Sequence, residues 1–389
     1  MVKGTARALL LMPRGKRTRR SIVLETTAVV PTRRHGVIGM TRTSGRRSVG
    51  VSLCVIARDE APALGACLAS AASAVDEIVV IDTGSRDNTV SVARAHGANV
   101  IQAPWADDFA AARNLALAHA NGAWVLSLDA DETLTPDAAD ALTATIAEAG
   151  APALRVPIED VGPSGDVETI HFGVRLFRRI AAHRWQRPVC ERVTTTATQY
   201  APLPIRHHGY ATSASRYTKL DRNRLLLERA VAATPADAEL RQRLAWTMLI
   251  LGDPYAAVLH AEAALRRTRS TMTGLLAIDT LARARLLASD LKGAANACRT
   301  ALALRPDWID PRLLLAEVEQ RAGKTEEALL HYARFLVDRE RLLLDATWPV
   351  RLPRLSSLTA EPLARAELAS VHAAIHRADS PHQPLVGTA

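Results

Sequence analysis

Ala123-Trp124-Val125-Leu126-Ser127-Leu128-Asp129-Ala130-Asp131-Glu132 changes character halfway along. Its first six residues include one polar side chain, Ser127, and show no polar alternation, which suits a strand buried on both faces of a parallel sheet. It then breaks into three carboxylates, at the edge where an open α/β sheet opens onto its ligand. In an Asp-x-Asp step leaving a strand, Asp129 and Asp131 can both reach one hard divalent cation. Such a cation keeps positions free for phosphate oxygens and water, so the step is a place to hold a diphosphate. The competing reading is a helix N-cap ahead of Thr133-Leu134-Thr135-Pro136, and Glu132 could be only that.

Outward from this stretch the chain repeats the same unit. Val51–Ala57 reads as a buried strand, followed by Arg58-Asp59-Glu60 and a helix whose Leu64, Cys67, Leu68 and Ala71 share one face. Glu77–Asp82 is the next strand and ends in Thr83-Gly84-Ser85-Arg86-Asp87-Asn88, a turn rich in capping residues, before a helix through His96. Asn99–Ala103 is a third strand and Asp107–Ala120 a third helix. Strands alternating with helices imply right-handed βαβ units and a doubly wound sheet. The polar residues gather at strand ends, Arg58 and Glu60, Asp82, then Asp129 and Asp131, where they can converge on one crevice. Neither Gly-x-Gly-x-x-Gly after the first strand nor a P-loop pattern is present, so a bound phosphate would be held by metal.

The 389 residues leave room for two sizeable cores. The formal charge of +9 is unevenly placed. Residues 1–48 hold twelve Lys/Arg against Glu25 alone, a net +11 that leaves about −2 for everything else, so a nucleic-acid partner is not expected. That stretch reads as a disordered, dispensable tail, with Met40 a candidate start; alternatively, its arginines could lend weak affinity for anionic lipid, about 1 kcal/mol per basic residue near a charged surface. Ala8–Met12 is interrupted by Pro13 before it makes a signal peptide, and no run approaches the roughly 20 apolar residues of a membrane span. Cys54, Cys67, Cys190 and Cys298 lack Cys-x-x-Cys spacing, which favours reduced thiols and a cytoplasmic location.

Val51 to Glu132 looks like the nucleotide-sugar half of a family 2 glycosyltransferase of the GT-A fold. The matching pieces are Val-Ser-Leu-Cys-Val-Ile-Ala-Arg-Asp-Glu from Val51, Asp-Glu-Ile-Val-Val-Ile-Asp-Thr-Gly-Ser-Arg-Asp-Asn-Thr from Asp76, Trp105 to Phe109 with Ala112-Arg113-Asn114, and Asp129-Ala-Asp-Glu. The Asp-Thr-Gly-Ser and Trp-x-Asp-Asp-Phe-x-x-x-Arg-Asn forms resemble the branch with sublancin-type peptide S-glycosyltransferases and cell-envelope glycosyltransferases, often fused to tetratricopeptide-like helices. The resemblance implies a nucleobase contact at Asp82, aided by Glu60 and the backbone near Ala57 and Arg58, with Arg113 near the base or phosphates. It also implies Mg²⁺ or Mn²⁺ on Asp129 and Asp131, and a third ligand or phosphate contact from one of His207 and His208; His208 is the ligand chosen here. The plainer alternatives are a turn cap for Asp82, a pairing of Arg113 with Asp107 or Asp108 inside its own helix, and a solvated loop histidine.

Beyond Pro152 come strand-like segments, including Arg187-Pro188-Val189-Cys190-Glu191 where the relatives read Gly-x-Val/Ile-His-Glu. Arg187 and Cys190 replace the Gly and the His, while Glu191 survives. An inverting transfer needs a carboxylate to take the acceptor's proton, and Glu191 is the candidate base; a structural pairing with Arg192 or Arg187 is the alternative. From Tyr217 to about Arg341 the chain reads as helical, entered through a Lys219-x-x-Arg222-Asn223 segment that resembles the family's. Ala282 and Ala316 are 34 residues apart, as are Ala294 and Ala328, the tetratricopeptide period; Ala245 and Ala257 precede their counterparts by 37 residues, as if three had been inserted near Ser270. Three repeats just suffice for a stacked core, which could bind a peptide, mediate homodimerisation or brace its neighbour. A weaker helix around Glu361 to Arg377 and a disordered end follow.

The expected architecture is a basic tail over 1–48, a GT-A domain of α/β type over 49–212, tetratricopeptide-like repeats over 213–341, and a C-terminal helix and tail over 342–389. The expected activity is inverting transfer from a nucleoside-diphosphate sugar, UDP-sugar first, to a peptide, protein or envelope-glycan acceptor. The alternatives are an interaction scaffold with a degenerate transferase domain, which Cys190 favours, and a sugar-phosphate nucleotidyltransferase, which would want a Gly-rich, Lys-bearing N-terminal loop.

Overall fold

The computed structural model describes residues 50–378 except Pro163, residues 210–212, Arg269 and residues 345–359. The expectations for the basic tail and for the extreme C-terminus lie outside the described residues. Strands β1 (Val51–Ala57), β2 (Glu77–Asp82), β3 (Asn99–Gln102) and β4 (Trp124–Asp129) pair in parallel in the order β3-β2-β1-β4. Helices α1 (Ala61–Ala71), α2 (Thr89–Ala95) and α3 (Phe109–His119) make the crossovers. Trp124 through Leu128 are all buried, as a strand covered on both faces requires. Leu64, Cys67, Leu68 and Ala71 form the buried face of α1.

The third helix starts later than expected because Asp108 caps it, its Oδ1 accepting the Ala111 N–H at 2.9 Å. Capping also settles the alternative for the acidic stretch. Thr135 caps α4 (Pro136–Ala147), while Glu132 opens a short strand β5 (Glu132–Leu134) and is buried.

The rest of the sheet is mixed. Strands β6 (Ala153–Val161) and β7 (Val167–Arg178) form a hairpin, and a connection this short can join only antiparallel strands; Gly165 takes φ +84° within it. β7 runs antiparallel to β4, and β11 (Ile205–His207) lies between β6 and β5. With β10 (Gln199–Tyr200) on β6, nine strands form one sheet among the described residues; β8 (Trp185–Gln186) and β9 (Arg192–Val193) pair separately.

Helix α5 (Ser213–Ala233) leads from the sheet into α6 (Ala238–Ile250), α7 (Pro254–Leu265), α8 (Met272–Leu287), α9 (Leu291–Leu304), α10 (Ile309–Arg321) and α11 (Thr325–Leu344), with α12 (Glu361–Ala378) beyond. Ala245, Ala257, Ala282, Ala294, Ala316 and Ala328 are each at most 1% exposed, the close approach that the repeat spacing predicts. The three repeat turns match too: Gly252, Ser289 and Gly323 occupy the same place and all have positive φ. Val189 packs with Leu226, Leu227, Leu240 and Leu244, and with Trp105 and Phe109, so one apolar cluster joins the sheet half to the first helices. Among the described residues no helix is long and apolar enough to cross a membrane.

Candidate functional site: a charged cleft at the end of β4

Strands β1, β2 and β4 end at one edge, with Ala57 opposite Asp82 and Ile56 opposite Asp129. A cleft of about 710 Å³, mouth included, opens there. Its floor is Ala57, Arg58, Glu60, Asp129 and Asp131, its aromatic side is Trp105 and Phe109, and its far wall is Lys219 and Arg222 of α5. Trp105 and Phe109 meet edge to face at 4.8 Å, and the Arg222 guanidinium lies 5.3 Å over the Phe109 ring.

Two chains of alternating charge meet at the Asp-x-Asp step. The first runs Glu191, Arg113, Asp129, Arg175, Glu132. Arg113 donates from Nε to Glu191 Oε1 at 2.7 Å, from Nη1 to Ser127 Oγ at 3.0 Å, and from Nη2 to Asp129 Oδ1. Arg175 Nη2 spans Asp129 Oδ2 at 3.1 Å and Glu132 Oε1 at 2.7 Å. Glu132 Oε2 also accepts the Asp129 N–H at 2.9 Å. Burial alone would raise the Asp129 carboxyl, but Arg113 and Arg175 hold it well below the usual carboxylate range.

The second chain runs Glu60, Lys219, Asp131, His207, Asp160. Lys219 Nζ lies 3.0 Å from Glu60 Oε1 and 2.9 Å from Asp131 Oδ2. His207 Nε2 faces Asp131 Oδ1 at 3.6 Å, and its Nδ1 is 2.8 Å from Asp160 Oδ1. The strand register makes this possible, since β11 sets His207 opposite both Glu132 on β5 and Asp160 on β6. Burial pulls the His207 imidazole down, but its bonds to Asp131 and Asp160 outweigh that and push it up to about 11.

The residues expected from sequence divide accordingly. Arg58, Glu60, Asp129 and Asp131 line the cleft. Asp82 is fully buried at the end of β2, and both its carboxylate oxygens lie 3.3 Å from the Ser85 amide nitrogen, so in this structure it holds its own turn. Arg113 bridges to Asp129 and Glu191 rather than pairing within its helix, because Asp108 is the helix cap and Asp107 pairs with Arg229 at 3.0 Å. Glu191 is tied to Arg113 through one oxygen.

The expected metal set, Asp129, Asp131 and His208, does not converge in this structure. His208 is exposed and bonds Thr133 Oγ1 at 3.1 Å, since its backbone neighbour His207 takes the inward side of the strand end. Asp129 has an arginine on each oxygen. Among the described residues no three His, Cys, Asp or Glu side chains converge as a metal site.

Asp131 and His207 border a space that a cation could enter only by displacing the proton that His207 Nε2 turns toward Asp131. A Cβ added to Gly209 would lie 2.5 Å from both Asp131 Oδ2 and His207 Nε2, so the space beside that oxygen and nitrogen is open only because residue 209 has no side chain. Asp160 on the far nitrogen of His207 is the partner that orients a ligating imidazole. A carboxylate and an imidazole suit Mn²⁺ or Mg²⁺ that completes its shell with phosphate oxygens and water.

Sequence reasoning missed Arg175, read Lys219 only as part of a segment, and offered Asp160 only as a substitute base behind Glu191. A single arginine between Val174 and the buried Leu176 in a long strand was the available signal, because a charge there must find a partner.

Residues 52–211 match the family described as glycosyl transferase family 2. A TPR repeat-containing protein of Synechococcus elongatus is 38% identical over 238 residues, 58% of this chain and 59% of that protein. An uncharacterized glycosyltransferase of Rickettsia felis is 33% identical over 90 residues, 23% of this chain and 31% of that protein. The chain thus spans well under two thirds of these relatives. Among solved structures, a MamA crystal structure aligns with a TM-score of 0.31 at 16% identity, over 43% of this chain and 98% of that one. Glucosyl-3-phosphoglycerate synthase from Mycobacterium tuberculosis, in complex with Mn²⁺, UDP and glucosyl-3-phosphoglycerate, aligns with a TM-score of 0.26 at 22% identity, over 32% of this chain and 52% of that one.

Proposed function

We propose, for a chain whose residues 52–211 are a family 2 glycosyltransferase domain followed by tetratricopeptide-like helices, that the cleft binds a nucleoside-diphosphate sugar and transfers its sugar with inversion. The observation that carries this reading is the Asp129-Ala130-Asp131 step at the end of β4, in a cleft that Arg58, Lys219 and Arg222 also line. Carboxylates that can seat a cation, alongside fixed cations, suit a diphosphate.

UDP-sugar is the donor to test first, and a peptide, protein or envelope glycan the acceptor, with the reaction in the cytoplasm. The helical repeats are the surface for an acceptor or for a second copy of the chain. In the transfer, an acceptor hydroxyl or thiol attacks the anomeric carbon while the bond from that carbon to the β-phosphate oxygen breaks. Its electron pair leaves on the diphosphate and the acceptor's proton goes to a carboxylate. Glu191 takes that proton through Oε2, its Oε1 being held by Arg113. Arg113 and Arg175 fix Asp129 in place, and Lys219 and Arg222 bring positive charge to the leaving group. A bound Mg²⁺ or Mn²⁺ on Asp131 and His207 would supply further positive charge to the diphosphate.

The test is consumption of UDP-sugars, with release of UDP, by the purified full chain with Mn²⁺, with and without cell extract as acceptor source. Turnover is expected, and Glu191→Gln should slow it by about 10²–10⁴-fold while UDP still binds. Absence of both UDP binding and turnover across nucleoside-diphosphate sugars would reject the reading.

A further inference from the structure

Lys219 stands where a cation for the diphosphate would stand. Its ammonium is 2.9 Å from Asp131 Oδ2, the same oxygen that borders the opening over Gly209, and 3.0 Å from Glu60 Oε1. It comes from α5, the helix that enters the repeats, and it lines the cleft with Arg222. We infer that Lys219 is a built-in cation that occupies the seat on Asp131, so that this site takes a nucleoside diphosphate without divalent metal and the metal becomes an alternative to the lysine. This rests on the donor reading given above.

The physical argument is one of charge. A diphosphate entering the cleft meets Asp129 and Asp131, and unneutralised carboxylates would repel it. Asp129 is already neutralised by Arg113 and Arg175. Among the described residues Asp131 is paired with no arginine; its two oxygens face His207 and Lys219, the latter shared with Glu60. Lys219 therefore does for Asp131 what a divalent ion does elsewhere, and its long stem lets the ammonium move onto a phosphate oxygen when one arrives. Because the ammonium and a metal ion compete for Asp131, removing the lysine should make the site dependent on metal.

Calorimetry of UDP binding to the full chain tests this directly, since binding is read without turnover. The wild type should bind UDP in EDTA within about 3-fold of its affinity in Mn²⁺, less than the loss of one charge-assisted hydrogen bond. Lys219→Met should weaken binding in EDTA by about 10-fold or more, with Mn²⁺ restoring most of it, whereas Lys219→Arg, which keeps the charge, should retain binding in EDTA. Lys219 is 30% exposed and pairs with two carboxylates, so the circular dichroism spectrum of each variant is compared with the wild type's to show that it is folded. Two results would overturn the inference: wild-type binding that vanishes in EDTA, or a Lys219→Met loss equal in EDTA and Mn²⁺, which would make the lysine an ordinary phosphate contact. Failure of UDP and other nucleoside diphosphates to bind under both conditions would instead remove the donor reading beneath it.

Discussion

A methyl group at position 209 would sit 2.5 Å from Asp131 Oδ2 and from His207 Nε2, closer than packed atoms allow. Both clashing atoms are side-chain ends that can rotate aside, so Gly209→Ala should fold while closing the space between them. In a Lys219→Met background the added Gly209→Ala change should abolish the Mn²⁺ rescue of UDP binding, read by calorimetry beside an unchanged circular dichroism spectrum. Persistent rescue would move the cation away from Asp131 and His207. This residue-level detail was only partly legible in the sequence. Asp129 and Asp131 announced themselves because they end a buried apolar run. Their partners did not, because Lys219 lies 88 residues from Asp131 and Arg175 lies 46 from Asp129, and no local period links such positions. Of two adjacent histidines the sequence offered no reason to choose; strand register sets the His207 side chain between Asp160 and Asp131.

At the scale of elements, the loop that precedes β9 is pinned to the first repeat helix. Arg187 holds Asp237 at 2.6 Å and Glu239 at 2.5 Å, both at the N-terminus of α6, and four residues later Glu191 holds Arg113. Arg187 does this at φ +78°, in the left-handed region, where the resembling enzymes have glycine. The chain thus accepts backbone strain in exchange for a forked ion pair. Arg187→Ala loses the fork and keeps the strain, whereas Arg187→Gly loses the fork and relieves the strain. Urea unfolding should find both variants less stable than the wild type, with the alanine variant below the glycine variant by about 1 kcal/mol. An alanine variant as stable as the glycine one would show that position 187 is not strained in solution. The elements most legible in sequence were the parallel strands, marked by runs rich in apolar residues, and the repeat helices, marked by alanines recurring at 34 and 37 residues. The mixed half of the sheet was harder to read because β8 to β11 are two or three residues long, too short for any periodicity to show.

Across the whole molecule, the four free thiols report separately on its parts: Cys54 and Cys67 on the sheet half, Cys298 on the repeat core, and Cys190 on the cluster that joins them. Burial pushes Cys190 up to about 11 and Cys54 and Cys298 up to about 12, and it raises Cys67 well above an ordinary thiol. The reactive species is the thiolate, and a thiol shifted to about 11 is ionised in about one molecule per thousand at pH 8. Iodoacetamide at that pH should therefore leave all four unlabelled in the native protein. As urea rises, labelling should appear when the surrounding core opens. The apolar cluster from Val189 to Leu244 and the Arg187 fork bind the two halves together, and three repeats make a short array, so the halves should open as one unit. Mass spectrometry of pulse-labelled protein should give coincident midpoints for Cys54, Cys67 and Cys298. Labelling of Cys298 at lower urea than the other two would show that the repeats unfold on their own, and that α5, with Lys219 on it, is a joint rather than a brace.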